Sequence, residues 1–212
     1  EQMAGMLMKA DMEGIPVITY AHEANRGPVK YHVSTSFVEI GQIHGKYLSE
    51  KISGLPAPYK LALVYGDPNF AFYKELVKGY NEYLKPLINA GKVEIVFRGD
   101  VLGWDPKNAM ELMERCLKET QEQVDGVLIM NDDIGSGVEV ILAAHGLQGK
   151  VRIFGGYDAT LDGVVRVMTG LQEIDMAPSY KEMADAAAQL MVSLITQEEP
   201  PSGLINAAFD NN

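Results

Sequence analysis

Several side chains fall where they could do chemistry. His22 follows the apolar run IPVITYA, Lys74 follows KLALVYG, Trp104 follows KVEIVFRG, Asn131 follows DGVLIM and Asp158 follows VRIFGG. They do not make a catalytic set: no hydroxyl or thiol stands with a base and a group to orient it. No catalytic residue is therefore expected. His22, His32, His44 and His145 lack metal-ligand spacing, and Cys116 is the only cysteine, so no metal site is expected and no internal disulfide can form. The GSG at Gly135 to Gly137 is not a dinucleotide fingerprint, and GxxxxGK[ST], GxSxG and HExxH are missing, so no cofactor is expected.

What the mixture suits is a hydroxyl-rich small molecule. Each sugar hydroxyl donates one hydrogen bond and accepts two, which calls for amides, carboxylates and cationic donors. The apolar C–H face of a sugar stacks on an aromatic ring. Asp158 and Asn131 could take adjacent hydroxyls, Lys74 and His22 could donate, and Trp104 could stack. Each residue also has an ordinary reading. Asn131 or Asp132 suits an N-cap for the helix that follows, and Asp158 invites the same account. A lone Trp is often packing, a helical Lys is often a solvated charge, and a loop His is often structural. It is the recurrence after successive apolar runs that favours a site.

The elements needed to position these groups are legible. After an opening helix carrying Met3, Met6, Leu7 and Ala10, helical and strand patterns alternate. Strands are expected at IPVITYA, KLALVYG, KVEIVFRG, DGVLIM, VRIFGGYD and LQEIDMAP, with extended pieces around Val33 and in LINAAF. Helices are expected over 37–52, 70–90, in PKNAMELMERCLKETQ, in VEVILAAHG, in LDGVVRVMTG and in YKEMADAAAQLMVSLI. Asp105 and Pro106 read as N-cap and first helical residue. Strand–helix alternation implies an α/β fold with parallel sheets covered by helices, whose ligands bind at the carboxyl ends of the strands.

Composition agrees. The 212 residues are 47% hydrophobic and 22% charged, which is globular. Eighteen Lys and Arg against 29 Asp and Glu give a net charge of -11, which repels phosphate backbones, so no nucleic-acid partner is expected. No apolar run is long enough for membrane insertion.

The series IPVITYAHE, LALVYGDPN, VLGWDPKNAMELMERCL and VDGVLIMNDDIGSGVEVILAAHGLQGKVRIFGGYDATLDGVVRVMTGLQ resembles the periplasmic sugar-binding proteins of ABC transporters. The branch is the two-lobed type I group of ribose- and xylose-binding proteins. YLKPLINAGKV, GWDPKNAM and HGLQGKV are similar to the D-xylose-binding proteins. The resemblance implies doubly wound parallel sheets in an incomplete N-terminal lobe (1–35 and 178–206) and a complete C-terminal lobe (36–177), with 207–212 starting a third hinge crossing. It implies a monomeric, non-catalytic protein that captures a pentose such as xylose, or a related monosaccharide or polyol, between two lobes and delivers it to an ABC transporter permease. Such a protein is exported to the periplasm or extracellular space, and the signal peptide is absent from this chain. An effector-sensing domain of a LacI-type transcription regulator or of a sensor kinase is the alternative on the same fold.

The resemblance also assigns residues. Trp104 matches the sugar-stacking aromatic, Asn131 the Asn of the N-D motif, Asp158 the hydroxyl-binding Asp, and Lys74 a basic position. His22 stands where the family usually has Arg, and Pro178 where it has Lys or Gln. Phe37, Phe70 and Phe72 replace positions that are often polar, which implies a less polar site.

Overall fold

The protein's computed structural model describes residues 2–24, 26–199 and 205–207, with side chains for 3–24 and 26–199. In chain order the elements are α1 (Gln2–Met12), β1 (Ile18–Tyr20), β2 (Tyr31–Val33), α2 (Phe37–Ile52), β3 (Tyr59–Tyr65), α3 (Ala71–Asn89), β4 (Val93–Asp100), a 3-10 turn (Leu102–Trp104), α4 (Pro106–Thr120), β5 (Gly126–Ile129), α5 (Asp132–Ala144), β6 (Arg152–Phe154), α6 (Leu161–Met168), α7 (Tyr180–Thr196) and β7 (Ile205–Ala207). They fall into two compact units, Phe37–Pro178 and the pair of segments Glu1–Ser36 and Ser179–Asn212.

The larger unit is a parallel sheet in the order β4-β3-β5-β6. β5 is buried along its whole length and β3 everywhere except Lys60. Runs of that kind lie in a sheet covered on both faces. The core joins β3 and β5 to Leu76, Tyr80 and Leu84 of α3, to Met113, Cys116 and Leu117 of α4, and to Ile134, Val138 and Leu142 of α5. Cys116 is fully buried and burial pushes its thiol up to about 12, so it packs as a small hydrophobe. Asp105 caps α4 by accepting from the Lys107 N–H, with Pro106 opening the helix.

The smaller unit has the sheet order β1-β2-β7, with Val33, Met183 and Leu190 as its buried centre. β1 and β2 are parallel, but β7 runs antiparallel to β2. All-parallel sheets were the expectation, and an antiparallel strand at the edge of such a sheet satisfies its backbone equally well.

Other departures have local causes. LQEIDMAP forms no strand; it makes only isolated bridges from Gln172 to Ile153 and from Met176 to Tyr157. Its own side chains take up part of its backbone. The Asp175 carboxylate accepts from the Met176 N–H at 2.8 Å, and Gln172 donates to the Ile174 carbonyl at 3.0 Å. β6 stops at Phe154 because Gly155 and Gly156 turn to φ of 83° and 130°. α5 starts at Asp132, six residues before the expected VEVILAAHG, so Gly135 and Gly137 lie within it. A Cβ on Gly137 would strike the Pro106 carbonyl, so the glycine permits close contact with α4. In LINAAF, Leu204, Ala208 and Phe209 lie outside the described residues, as do positions 208–212 of the expected hinge crossing.

Candidate functional site

The sheet order reverses at β3: the next strand, β4, adds on one side of it and β5 on the other. In open α/β sheets the crevice at such a switch point, beyond the carboxyl ends of the strands, is the natural place for a ligand. The residues there are Gly66 and Asp67 after β3, Trp104 after β4, Asn131 after β5, and Tyr157 and Asp158 after β6.

Trp104 sits in the 3-10 turn with φ of 58°. Asp67 holds that turn. Its Oδ2 accepts from the Gly103 N–H at 2.9 Å, and its Oδ1 accepts from the Asn69 backbone and side-chain amides at 2.9 and 2.8 Å. Burial pushes the Asp67 carboxyl up, but the donors from Gly103 and Asn69 outweigh it and hold it below the usual range. The indole lies on Gly66, where any side chain would collide with the ring. Its Nε1 is buried and makes no hydrogen bond.

From Trp104 a run of rings crosses the ends of the strands. Phe72 lies 5.4 Å from Trp104 at 31°, and Phe70 meets it edge-on at 5.8 Å. Phe37 stacks on Phe72 at 4.6 Å, and Tyr157 tilts against Phe37 at 5.4 Å. These residues come from α2, the β3–α3 loop, the first turn of α3, the turn after β4 and the loop after β6, so tertiary packing alone brings them together. The result is an apolar shelf ending at Tyr157, next to Asp158.

The polar candidates line the same edge. Asn131 is largely buried and is the N-cap of α5, its Oδ1 accepting from the Ile134 N–H at 3.1 Å. Capping therefore takes the oxygen, while Nδ2 makes none of the hydrogen bonds found among the described residues. Asp158 is half-buried in a strained loop, with φ of 102° followed by 46° at Ala159. Non-glycine residues at positive φ are uncommon and cost about 1–3 kcal/mol each, so the surroundings must impose the conformation. Here the Asp158 N–H donates to the Met176 carbonyl at 3.1 Å, and the Thr160 N–H and hydroxyl both donate to Asp132 Oδ2 at 2.8 Å. Asn131 lies between Trp104 and Asp158, whose strands β4 and β6 stand three spacings apart, about 14 Å.

Lys74 lies one turn into α3 with an exposed side chain. His22 is in the smaller unit, exposed, its N–H donating to the Tyr20 carbonyl at 2.7 Å across a turn at Ala21 with φ of 62°. Trp104, Asn131, Asp158 and Lys74 thus lie in the larger unit, and His22 in the smaller one.

Sequence patterns did not single out the groups that hold this edge. Asp67, directly after the glycine that ends KLALVYG, was open to recognition by position alone. Beneath the Asp158 loop, Arg166 is buried at 2% exposure, an outlier in the apolar run VVRVM. Its guanidinium donates to Gln172 Oε1 and Ser136 Oγ, each at 2.8 Å, and to the Asp132 carbonyl at 3.0 Å. Asp132 is 1% exposed and its carboxylate stands 3.7 Å from Arg166. Among the described residues no cluster of three or more His, Cys, Asp or Glu could hold a metal, and no helix is long and apolar enough to cross a membrane.

Comparison with known proteins gives this edge a context. The chain is 30% identical over 198 residues to the D-xylose-binding periplasmic protein of Escherichia coli K12, covering 93% of this chain and 58% of that protein. It is 30% identical over 199 residues to the D-xylose-binding periplasmic protein of Haemophilus influenzae Rd, covering 94% of this chain and 58% of that protein. The chain thus spans less than two thirds of the length of these relatives. Its fold matches an ABC transporter solute-binding protein from Clostridium phytofermentans with bound β-D-glucose, at a TM-score of 0.84 and 21% identity, covering 100% of this chain and 68% of that one. Residues 1–199 match the family described as periplasmic binding protein domain, and with the parallel α/β sheets above this places the chain in that family, on the type I fold.

Proposed function

We propose that the protein is a non-catalytic solute-binding protein that captures a small sugar or polyol, a pentose such as xylose foremost, and passes it to the permease of an ABC transporter. The observation that carries this reading is the ring shelf from Trp104 through Phe72 and Phe37 to Tyr157, with Asn131 and Asp158 along the same strand ends. An aromatic surface takes the C–H face of a monosaccharide, and the amide and carboxylate take its hydroxyls. The family and the xylose-binding relatives support the ligand class. Export to the periplasm or extracellular space follows from the same reading, as does action as a monomer. We assign the larger unit to the C-terminal lobe and the smaller one to part of the N-terminal lobe. Asp158, Asn131 and Trp104 are the primary ligand contacts in this proposal, with Lys74 and His22 as further donors.

Titration calorimetry of the full-length protein with D-xylose, D-glucose and myo-inositol tests it. Saturable binding of at least one of them is expected. Asp158→Ala should weaken that binding by about 2 kcal/mol through loss of a charged acceptor. No heat with any sugar or polyol, or wild-type affinity in both Asp158→Ala and Trp104→Ala, refutes the assignment.

A further inference from the structure

Two carboxyl groups meet under the Asp158 loop with fewer partners than they need. Asp132 is 1% exposed; its Oδ2 accepts from Thr160, but its Oδ1 is buried without a hydrogen bond. Asp175 directs Oδ1 to the Met176 N–H at 2.8 Å, and its Oδ2 is likewise buried without a partner. Both groups border the Gly156 backbone. A Cβ built on Gly156 would stand 3.0 Å from Asp175 Oδ1 and 3.2 Å from Asp132 Oδ1. A buried acceptor left unmade costs about 1–3 kcal/mol, more when charged. Two ionised carboxylates would also repel each other across a medium of low dielectric.

One proton removes both defects. Placed on Asp175 Oδ2 and donated to Asp132 Oδ1, it satisfies both orphaned oxygens and leaves a single negative charge facing the single positive charge of Arg166. The position of the pair gives that proton leverage. Asp132 anchors Thr160 at one end of the strained segment 155–160, and Asp175 fixes Met176, whose carbonyl accepts from the Asp158 N–H and whose N–H donates to the Gly156 carbonyl at 3.1 Å each. Resting on the reading that Asp158 binds ligand, we propose that Asp175 carries a proton that it donates to Asp132, that this hydrogen bond locks the 155–160 loop with Asp158 poised to bind, and that loss of the proton as pH rises loosens the loop and lowers affinity.

The surroundings are consistent with this. Burial first, and Asp132 beside it second, push the Asp175 carboxyl up to about 7, against the opposing pull of the Met176 N–H and Arg166. Among the described residues Arg166 of α6 is the cation paired with Asp132, and Gln172 presents an uncharged amide to the Gly155 carbonyl at 2.8 Å. From α2, His44 is fully buried beside Gly156. Burial lowers its ring to about 4, against the opposing pull of the Gly156 backbone, so that it stays neutral. Asp158 brings the remaining carboxylate of the loop. Glu173 is engaged elsewhere, by Lys51 and Arg152 at 3.3 Å each.

Amide hydrogen exchange on the full-length protein without sugar, from pH 6 to 8.5, tests the lock, with rates corrected for the intrinsic pH dependence of exchange. In Asp175→Asn the side-chain amide supplies a permanent donor to Asp132. Protection of the Asp158 and Thr160 amides should fall about 10-fold or more across this range in the wild type and stay level in the variant. Equal behaviour of the two proteins overturns the proposal. Asp132→Asn offers the same donor from the other side if the first variant does not fold. The wild-type Asp175 carboxyl carbon, followed by NMR, should titrate near 7, and a midpoint below 5 overturns the proposal. Xylose titrations on the same samples separate the two readings. A Kd that rises with pH only in the wild type supports the lock acting on binding, whereas a pH-dependent lock with no sugar bound at any pH refutes the ligand assignment and the coupling to affinity together.

Discussion

Replacing Gly66 by alanine is the sharpest probe of the shelf. The Cβ would fall on Cη2 and Cζ3 of Trp104, with Cζ2 2.5 Å away. Carbon atoms in contact rest at about 3.5–4.0 Å, so the indole must withdraw by at least roughly 1 Å. It has little room to do so: Phe72 and Phe70 pack its faces and edge at 5.4 and 5.8 Å, and Asp67 holds Gly103 beside it. Overpacking of this kind costs about 1–3 kcal/mol of stability. With Trp104 as the proposed sugar contact, displacing its ring should weaken sugar binding by about 10-fold, or ~1.4 kcal/mol. Trp104 is the only tryptophan, so its emission reports the displacement directly, while calorimetry reads the affinity. In a Trp104→Ala background the same change should cost almost nothing, because the collision partner has gone. Gly66→Ala with wild-type emission and affinity, or equal losses in both backgrounds, would refute the role given to the indole.

Three further outcomes are expected. Asn131→Ala should lose about 1 kcal/mol of stability through the missing cap of α5, whereas Asn131→Asp should keep the cap and weaken only sugar binding; thermal melts and calorimetry separate the two. Arg166→Met should destabilise by about 3–5 kcal/mol in urea unfolding, because Asp132 loses its counter-charge and Gln172 and Ser136 lose their donor; a change under about 1 kcal/mol would contradict the network. His44 is held neutral, its ring lowered to about 4, while the unfolded chain takes up a proton below 6.5. Its contribution is therefore complete above pH 6.5 and lost as pH falls towards 4, in total about 3 kcal/mol. Melting temperatures should decline over that window in the wild type and less steeply in His44→Phe. An unchanged slope in the variant would assign the acid sensitivity to other groups.

The amino-acid sequence by itself determined the layered architecture. Runs such as LALVYG and GVLIM can be stable only between two covering layers, and Asp105-Pro106 starts α4 through bonds within three residues. It also placed Trp104, Asn131 and Asp158 after their strands, because strand ends are read from local pattern. Tertiary structure alone decided the rest. Rings from α2, the start of α3 and the turn after β4 meet only when β3, β4 and β5 pair in their observed order. The segment LQEIDMAP has the composition of a strand, yet Asp175 and Gln172 bond its own backbone and turn it into the support of the Asp158 loop. Asp132 and Asp175 stand far apart in the chain and come to border the same Gly156 backbone only after folding. Local periodicity reports what each segment buries. It carries no information on which buried polar groups will face one another, since that depends on the order in which strands are laid side by side.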